Sequence, residues 1–365
     1  MLKLGTVFSG IGAIEQALIR LNMNYEIEFA CDNGDIELDV DYAEELKKIK
    51  EMKTTEEKRL YVENLYKTKS RKTNFVEQAY KANYKVNNNF FYNVKLLDGT
   101  DFKNKIDLFV GGSPCQSFSI AGARGGFEDA RGTLFYEYCR LVDEIQPKIF
   151  IYENVYGVLT HDKGNTWKVM QNSFDSLGYY YKWKILDARD YGIPQGRRRL
   201  YVVGFKNKKE YANFEFPKPI ELNYTMQDLL VENTKEGNFI NKDGKLIITE
   251  KIGEEPEEKY FLSEKLKAYV MSPGTKNFMH TDAKIDLPIA RALLSTQGNS
   301  HRASVNNYVT TNGKIRALTV RETYRLMGFP DDFKIVVSKA QALKQSGNSI
   351  VVDVLINILK EIFHI

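Results

Sequence analysis

The chain has 365 residues, a formal net charge of +4 from 52 basic and 48 acidic residues, and 43% hydrophobic content. This is room for one large domain and a smaller one with a sizeable core, and the slight basic excess permits a polyanionic partner without requiring one. The three cysteines, Cys31, Cys115 and Cys139, form no CxxC pair, and no long apolar run or leader-like N-terminus occurs, so no zinc site, disulfide framework, secretory signal or membrane span is expected, and a reducing cytoplasm is.

In chain order, Leu4–Phe8 reads as a buried strand running into the turn Ser9-Gly10-Ile11-Gly12. A helix follows, with Ile14, Ala17, Leu18 and Leu21 on one face. Ile27–Ala30 is a second strand, ending at Cys31-Asp32. The charged stretch from 33 to 73 carries helical apolar spacing in two pieces. It reads as an inserted helical hairpin, a solvated decoration more than a contact surface. Phe75–Tyr84 reads as a helix, and Ile106–Val110 as a strand entering Gly111-Gly112-Ser113-Pro114-Cys115. A helix over Thr133–Ile145 and strands over Ile149–Tyr152 and Leu200–Gly204 complete an alternating pattern. Such alternation predicts an α/β fold with a mostly parallel sheet and helices on both faces. After Gly204 the periodicity lapses, which predicts a smaller domain over 205–288. Residues 289–365 return to the first domain (1–204) through a final helix over Asn348–Ile362.

The chemistry-bearing residues sit at strand ends. A glycine turn after a strand lets a ligand approach the backbone and its N–H groups. Asp32, at the end of the next strand, is placed to accept hydrogen bonds from ribose hydroxyls. Asp98, in a third such loop, can accept from an adenine amino group; each acid could equally be an N-cap or turn residue. Cys115 follows Gly-Gly-Ser-Pro and precedes polar residues, unlike the usual buried cysteine. That setting suits an exposed, rigidly presented nucleophile. The glycine-rich stretch after it, with Arg124, reads as a mobile loop. Glu153 ends a strand and can act as an acid beside a nucleophile. Arg197, Arg198 and Arg199 form a basic run suited to phosphate or base-carbonyl contacts, or to a plain solvated turn.

Taken together and in order, these pieces closely resemble the C5-cytosine DNA methyltransferases, in particular bacterial modification enzymes. The matching stretches are Phe8-Ser9-Gly10-Ile11-Gly12, Asp32, Asp98, Pro114-Cys115-Gln116, Gly126 to Phe135, Glu153-Asn154-Val155, Gln195-x-Arg197-x-Arg199, Arg316 to Glu322, Arg325 to Pro330, and Gly347 to Val351. Only the hairpin and about 205–287 fall outside. The resemblance implies a Rossmann-like catalytic domain that uses S-adenosylmethionine and no metal, a target-recognition domain over 205–288, and duplex DNA as partner. It implies a monomeric, cytoplasmic bacterial enzyme, alongside a possible restriction endonuclease acting on the same site. Cys115 would attack C6 of a flipped cytosine. Glu153, protonated, would hold N3 and the exocyclic amine; Arg199 would contact O2, with Arg197 nearby. Phe8, Ser9, Gly10, Ile11, Gly12, Asp32, Asp98, Gly99, Pro114, Leu134, Asn348 and Ser349 would line the cofactor pocket. Gln116, Ser119, Arg124, Arg131, His301 and Arg302 would contact DNA. Asp32 stands where the family more often has Glu, and Ser9 where Ala is common.

The stretch Phe205–Leu287 holds 13 lysines and no arginine against 15 acidic residues, an unusual balance for a DNA reader. Some readout is therefore expected from the flanking Thr296–Arg302. Three alternatives differ in kind. An RNA methyltransferase of this fold would have a shorter recognition segment. A non-catalytic SAM- or DNA-binding regulator would not need Cys115, Glu153 and Arg199 together. A cysteine hydrolase would need a histidine near the thiol, and none lies near these motifs.

Overall fold

A computed structural model describes residues 1–86, 88–114, 134–232, 240–242, 245–247, 254–272, 283–299 and 301–365. These divide into two compact units, the first made of Met1–Gly10, Met23–Leu186 and Arg198–Phe216, the second of Ile11–Asn22, Asp187–Arg197 and Pro217–Ile365. The chain thus leaves and re-enters each unit.

Strands of the N-terminal half are β1 (Leu2–Val7), β2 (Tyr25–Cys31), β3 (Phe90–Phe91), β4 (Leu108–Gly111), β5 (Ile149–Val155), β6 (Tyr180–Asp187), β7 (Gln195–Gly196) and β8 (Arg198–Phe205). All but β7 form one seven-stranded sheet in the order β3-β2-β1-β4-β5-β8-β6. The pairs from β3 to β5 are parallel, and β8 runs antiparallel to β5. Continuous apolar runs such as Ile149–Tyr152 make strands that can be buried on both faces. The helix Leu134–Ile145 presents Phe135, Tyr138, Leu141, Val142 and Ile145 at helical spacing. They pack with Phe109, Phe150 and Tyr152 of the sheet and with Trp167, Met170 and Phe174 of the helix Asn165–Ser176.

The stretch 33–73 is a helical hairpin, as expected, with helices Tyr42–Lys50 and Thr55–Lys69. Asp41 caps the first; Thr54 and Glu57 form a reciprocal capping box on the second. It is more than a solvated decoration. Ile49, Val62 and Tyr66 bury themselves against Ile36, Leu38 and Leu96 in a core of their own.

In the second unit the helix Ala13–Arg20 packs with the last helix, Val352–Phe363. Arg20 makes a two-pronged pair with Asp353, at 2.8 Å through each nitrogen. The expected C-terminal helix is present as Val352–Phe363, four residues later in its start than Asn348, and a separate helix, Lys339–Asn348, precedes it. Ser349 between them is extended (φ −71, ψ 158), and its carbonyl accepts from Arg197. Three further pairings are small: β9 (Ile240–Lys242) with β10 (Lys245–Ile247), β7 with β11 (Ala290–Arg291), and β12 (Tyr308–Thr311) with β13 (Lys314–Ala317). Arg316, fully buried, pairs with Glu232 and Glu322, and Glu322 also closes a capping box with Thr319.

Candidate active site

Strand register brings the expected site residues to one edge of the sheet. Phe91, Cys31, Val7, Gly111, Tyr152 and Val202 are successive partners across six strands. Asp32, Phe8, Gly112 and Glu153 each follow one residue past that row, at the carboxyl ends of parallel strands. Ligands of open α/β sheets bind along such an edge.

On β5 and β8 the pairs Glu153↔Tyr201 and Val155↔Arg199 make Glu153 and Arg199 diagonal neighbours on one face. Their side chains form an ion pair, Arg199 Nε to Glu153 Oε1 at 3.2 Å, 17% and 13% exposed. Gly112 passes directly against Glu153. A Cβ there would lie 2.9 Å from both its main-chain carbonyl oxygen and its carboxylate Oε2, so only glycine fits. The next residue is fastened too. Asn154 Nδ2 donates to the Ser113 carbonyl at 3.1 Å and to the Tyr152 hydroxyl at 2.6 Å. The Ser113 and Tyr152 hydroxyls lie 2.6 Å apart. Asn154 therefore holds the backbone just before Pro114-Cys115.

A second cluster surrounds Asp32. Its Oδ2 accepts from Gly10 N at 2.9 Å and its Oδ1 from Gly34 N at 2.8 Å. Ser9 Oγ donates to the Cys31 carbonyl and accepts from Cys31 N. Phe8 has a left-handed backbone (φ 52), a strained conformation that recurs at ligand sites. Asn74 caps the helix Phe75–Asn83 through Oδ1 while its Nδ2 donates to the Asp32 carbonyl at 2.8 Å. Burial pushes the Asp32 carboxyl from 3.8 up to about 6, against the pull of the Gly10 and Gly34 N–H groups. Asp98 is buried. Burial would raise its carboxyl, but Lys58 and Thr100 outweigh it and hold it below the ordinary value. Gly99 N donates to Glu144 Oε2 at 2.9 Å. Leu134, half-buried, opens its helix.

Within the second unit, Ile11 is buried and Gly12 (φ 78) caps the helix Ala13–Arg20. Asn348 is exposed at a helix end and Ser349 is buried. Arg197 is buried, and its guanidinium donates to the carbonyls of Leu293, Gly347 and Ser349 at 2.7, 2.9 and 2.8 Å. Those bonds tie three chain segments together. His301 is exposed; Arg302 stacks 4.2 Å from the Tyr269 ring centroid and donates to Ser272. Cys115, Gln116, Ser119, Arg124 and Arg131 lie outside the described residues. Reading the sequence alone missed Lys58, Gly112 and Asn74. Asn74 had a signal, an N-cap residue with Glu77 three positions on.

The chain matches the family model for C-5 cytosine-specific DNA methylase over residues 2–364. The chain belongs to this family. It is 39% identical over 249 residues to the type II methyltransferase M.HhaI of Haemophilus parahaemolyticus, covering 68% of this chain and 73% of that one. It is 36% identical over 289 residues to the type II methyltransferase M.NgoBI of Neisseria gonorrhoeae, covering 77% and 80%. Among solved structures, Dnmt2 methyltransferases from S. pombe and Spodoptera frugiperda superpose with TM-scores of 0.64 and 0.67 over 100% of this chain and 99% and 100% of theirs. At 16% identity those two share the fold. The resemblance drawn from the ordered motifs is thereby borne out, and with it the Rossmann-like fold and the assignment as a DNA (cytosine-5-)-methyltransferase. Among the described residues, no helix is long and apolar enough to cross a membrane, and no three acidic, histidine or cysteine groups cluster to hold a metal.

Proposed function

We propose that this methylase transfers a methyl group from S-adenosylmethionine to C5 of a cytosine flipped out of a specific short duplex sequence, through a covalent adduct on Cys115. The observation that carries the reading is the Glu153–Arg199 pair pressed against Gly112, three residues before the cysteine. In this reading Cys115 Sγ adds to C6 of the cytosine. Glu153, protonated, donates to N3 and offsets the charge entering the ring, while Arg199 donates to O2. C5 would displace the methyl group from the sulfonium, releasing S-adenosylhomocysteine; water would then take the C5 proton as the Cys115 thiolate leaves, and N3 would return its proton to Glu153, which restores the ring. Extruding the base costs a few kcal/mol, offset by contacts to the flipped base and from the loop over 117–132.

The donor supplies a methyl group on a sulfonium. The residues present suit it. Gly10, in the turn Phe8–Gly10, puts no side chain in the way of a ligand, Asp32 is a carboxylate for the ribose hydroxyls, and Asp98 is a buried acceptor for the adenine amine, with Gly99, Pro114, Leu134, Ile11, Gly12, Asn348 and Ser349 as further lining. For Arg197 we propose positioning of Ser349 and Gly347 and no contact with the base. The segment 205–288 would read bases in the major groove, with Gln116, Ser119, Arg124, Arg131, His301 and Arg302 also against DNA. The type II names of the relatives support a modification role beside an endonuclease. The chain would act as a cytoplasmic monomer.

The test is methyl transfer from labelled S-adenosylmethionine to mixed-sequence duplex DNA, with tRNA in parallel, followed by bisulfite sequencing. Label in DNA at cytosines of one short motif is expected. Label in tRNA alone, or in neither, refutes the reading, as does near-normal turnover by Cys115→Ser.

A further inference from the structure

The hairpin between Asp32 and Phe75 reaches the loop that carries Asp98: Lys58 ends on that loop, and Lys50 ends on Glu144, which holds the loop from the helix Leu134–Ile145. Lys58 Nζ donates to Asp98 Oδ2 at 2.7 Å and to Asp101 Oδ1 at 2.6 Å, with only 9% of its side chain exposed. Lys50 Nζ donates to Glu144 Oε1 at 2.7 Å, while Glu144 Oε2 accepts from Gly99 N at 2.9 Å. On its other oxygen, Asp98 Oδ1 accepts from Thr100 N at 3.1 Å and Thr100 Oγ1 at 2.6 Å.

Three donors therefore fix both oxygens of Asp98. An ionised carboxylate offers about four acceptor positions, so one remains, and its direction is set. A single acceptor of fixed direction selects a ligand that presents one N–H there. It disfavours a ligand that presents a carbonyl oxygen instead, because two acceptors then face each other without a proton. Remove the ammonium and Asp98 stands in a buried place beside Asp101, with one oxygen released. It could then rotate, or take up a proton and become a donor. Either change erases the selection.

We propose that Lys58 is a positioning residue for the cofactor's purine: it holds Asp98 ionised and oriented, so that this chain distinguishes a 6-amino purine from a 6-oxo purine. The proposal rests on the reading of Asp98 as the adenine acceptor. It gives the hairpin a task in the cofactor site.

The test is calorimetric binding of S-adenosylhomocysteine and of its hypoxanthine counterpart, S-inosylhomocysteine, to the full chain and to Lys58→Met. Wild type is expected to prefer the amino ligand. In Lys58→Met the affinity for the adenosyl ligand should fall roughly tenfold, the size of one charge-assisted hydrogen bond, and the preference should shrink towards none. An unchanged preference in Lys58→Met overturns the proposal. So does an equal loss for both ligands, which would mark Lys58 as a plain structural tie. A wild type that binds neither ligand removes the cofactor reading itself, and the proposal with it, a failure visible in the wild-type arm alone. Should Lys58→Met fail to fold, Lys58→Arg carries the test. It keeps the charge but displaces the carboxylate, so a full wild-type preference there overturns the proposal as well.

Discussion

Asp32 is held by two main-chain N–H groups, yet burial still lifts its carboxyl to about 6. The sign of the consequence differs for stability and for binding. A carboxyl raised in the fold contributes stability that is full below its unfolded value of 3.8 and is lost as the pH rises through about 6. Binding runs the other way, because only the carboxylate accepts from two ribose hydroxyls. S-adenosylhomocysteine should therefore bind more tightly as the pH is raised from about 5 to about 7, by up to roughly tenfold, and Asp32→Asn should flatten the profile. A flat wild-type profile would separate Asp32 from the ribose. The thiols behave differently. Cys31 and Cys139 are 0% and 7% exposed, and burial pushes both up, so both are inert in the fold. Ellman's reagent should find one fast thiol in the native chain, absent from Cys115→Ser, and all three after denaturation. At this scale the sequence carried Asp32, Glu153 and Arg199, because each stands at a strand end that an apolar run announces. It could not carry the carbonyl partners of Arg197, which come from residues 293, 347 and 349, nor Lys58, whose partners lie 40 and 43 residues away. Nothing local marks a lysine in a charged helix as buried.

Among elements, the sheet edge does most to build the site, and Gly112 shows how tightly. Strand β4 ends beside β5, so the residue after Gly111 meets the main chain and carboxylate of Glu153 with no room for a Cβ. Gly112→Ala must push the nucleophile loop or Glu153 aside by a fraction of an ångström or more. Displacements of about 1 Å can cost about 100-fold in rate. Turnover at saturating substrates should fall by that order, with S-adenosylhomocysteine affinity nearly unchanged, since the proposed cofactor carboxylates lie elsewhere, Asp32 just past β2 and Asp98 in the turn before Gly99–Phe102. Wild-type turnover in this variant would mean that the approach of Gly112 to Glu153 is not needed for the chemistry. The elements read from the sequence were legible through four-residue apolar runs and helical spacing, as in Leu134–Ile145, whereas β6, with its mixed pattern Tyr180–Asp187, and the helix Asn165–Ser176 were not. The C-terminal break falls on Gly347-Asn348-Ser349-Ile350-Val351, a run of weak helix formers, where Ser349 is extended and its carbonyl accepts from Arg197 over 152 residues of chain. The hairpin was found but misweighed, because its mixed charge hides a small core of Ile49, Val62 and Tyr66.

At the scale of the molecule, the second unit joins the beginning and end of the chain. Arg20 and Asp353, 333 residues apart, are 2% and 6% exposed and make a bidentate pair, and Arg20 also donates to the Gly328 carbonyl at 2.9 Å. Removing one partner of a buried pair leaves the other charge unmatched, at a cost of about 3–5 kcal/mol. Arg20→Met should lower stability by that amount in urea titration, whereas a loss below about 1 kcal/mol would mean that Asp353 finds water or another donor. Charge distribution bears on DNA in the same way, through the whole chain. The segment from Phe205 to Leu287 has 13 lysines, no arginine and 15 acidic residues, a net −2, so the remainder of the chain carries +6. In the proposed reading, phosphate attraction then comes chiefly from outside the segment. Each phosphate neutralised releases counterions, which makes the logarithm of affinity fall linearly with the logarithm of salt. The expected result is a steep slope for duplex DNA that is almost the same for specific and unrelated sequences, because the segment that distinguishes them contributes little positive charge. Charge-neutralising replacement of its lysines should shift that slope little while changing the ratio of specific to non-specific affinity. A salt-independent affinity would undercut the DNA reading. A slope that collapses on removing the segment's lysines would place phosphate contact inside it, with its acidic run Glu254–Glu258 turned away from the duplex.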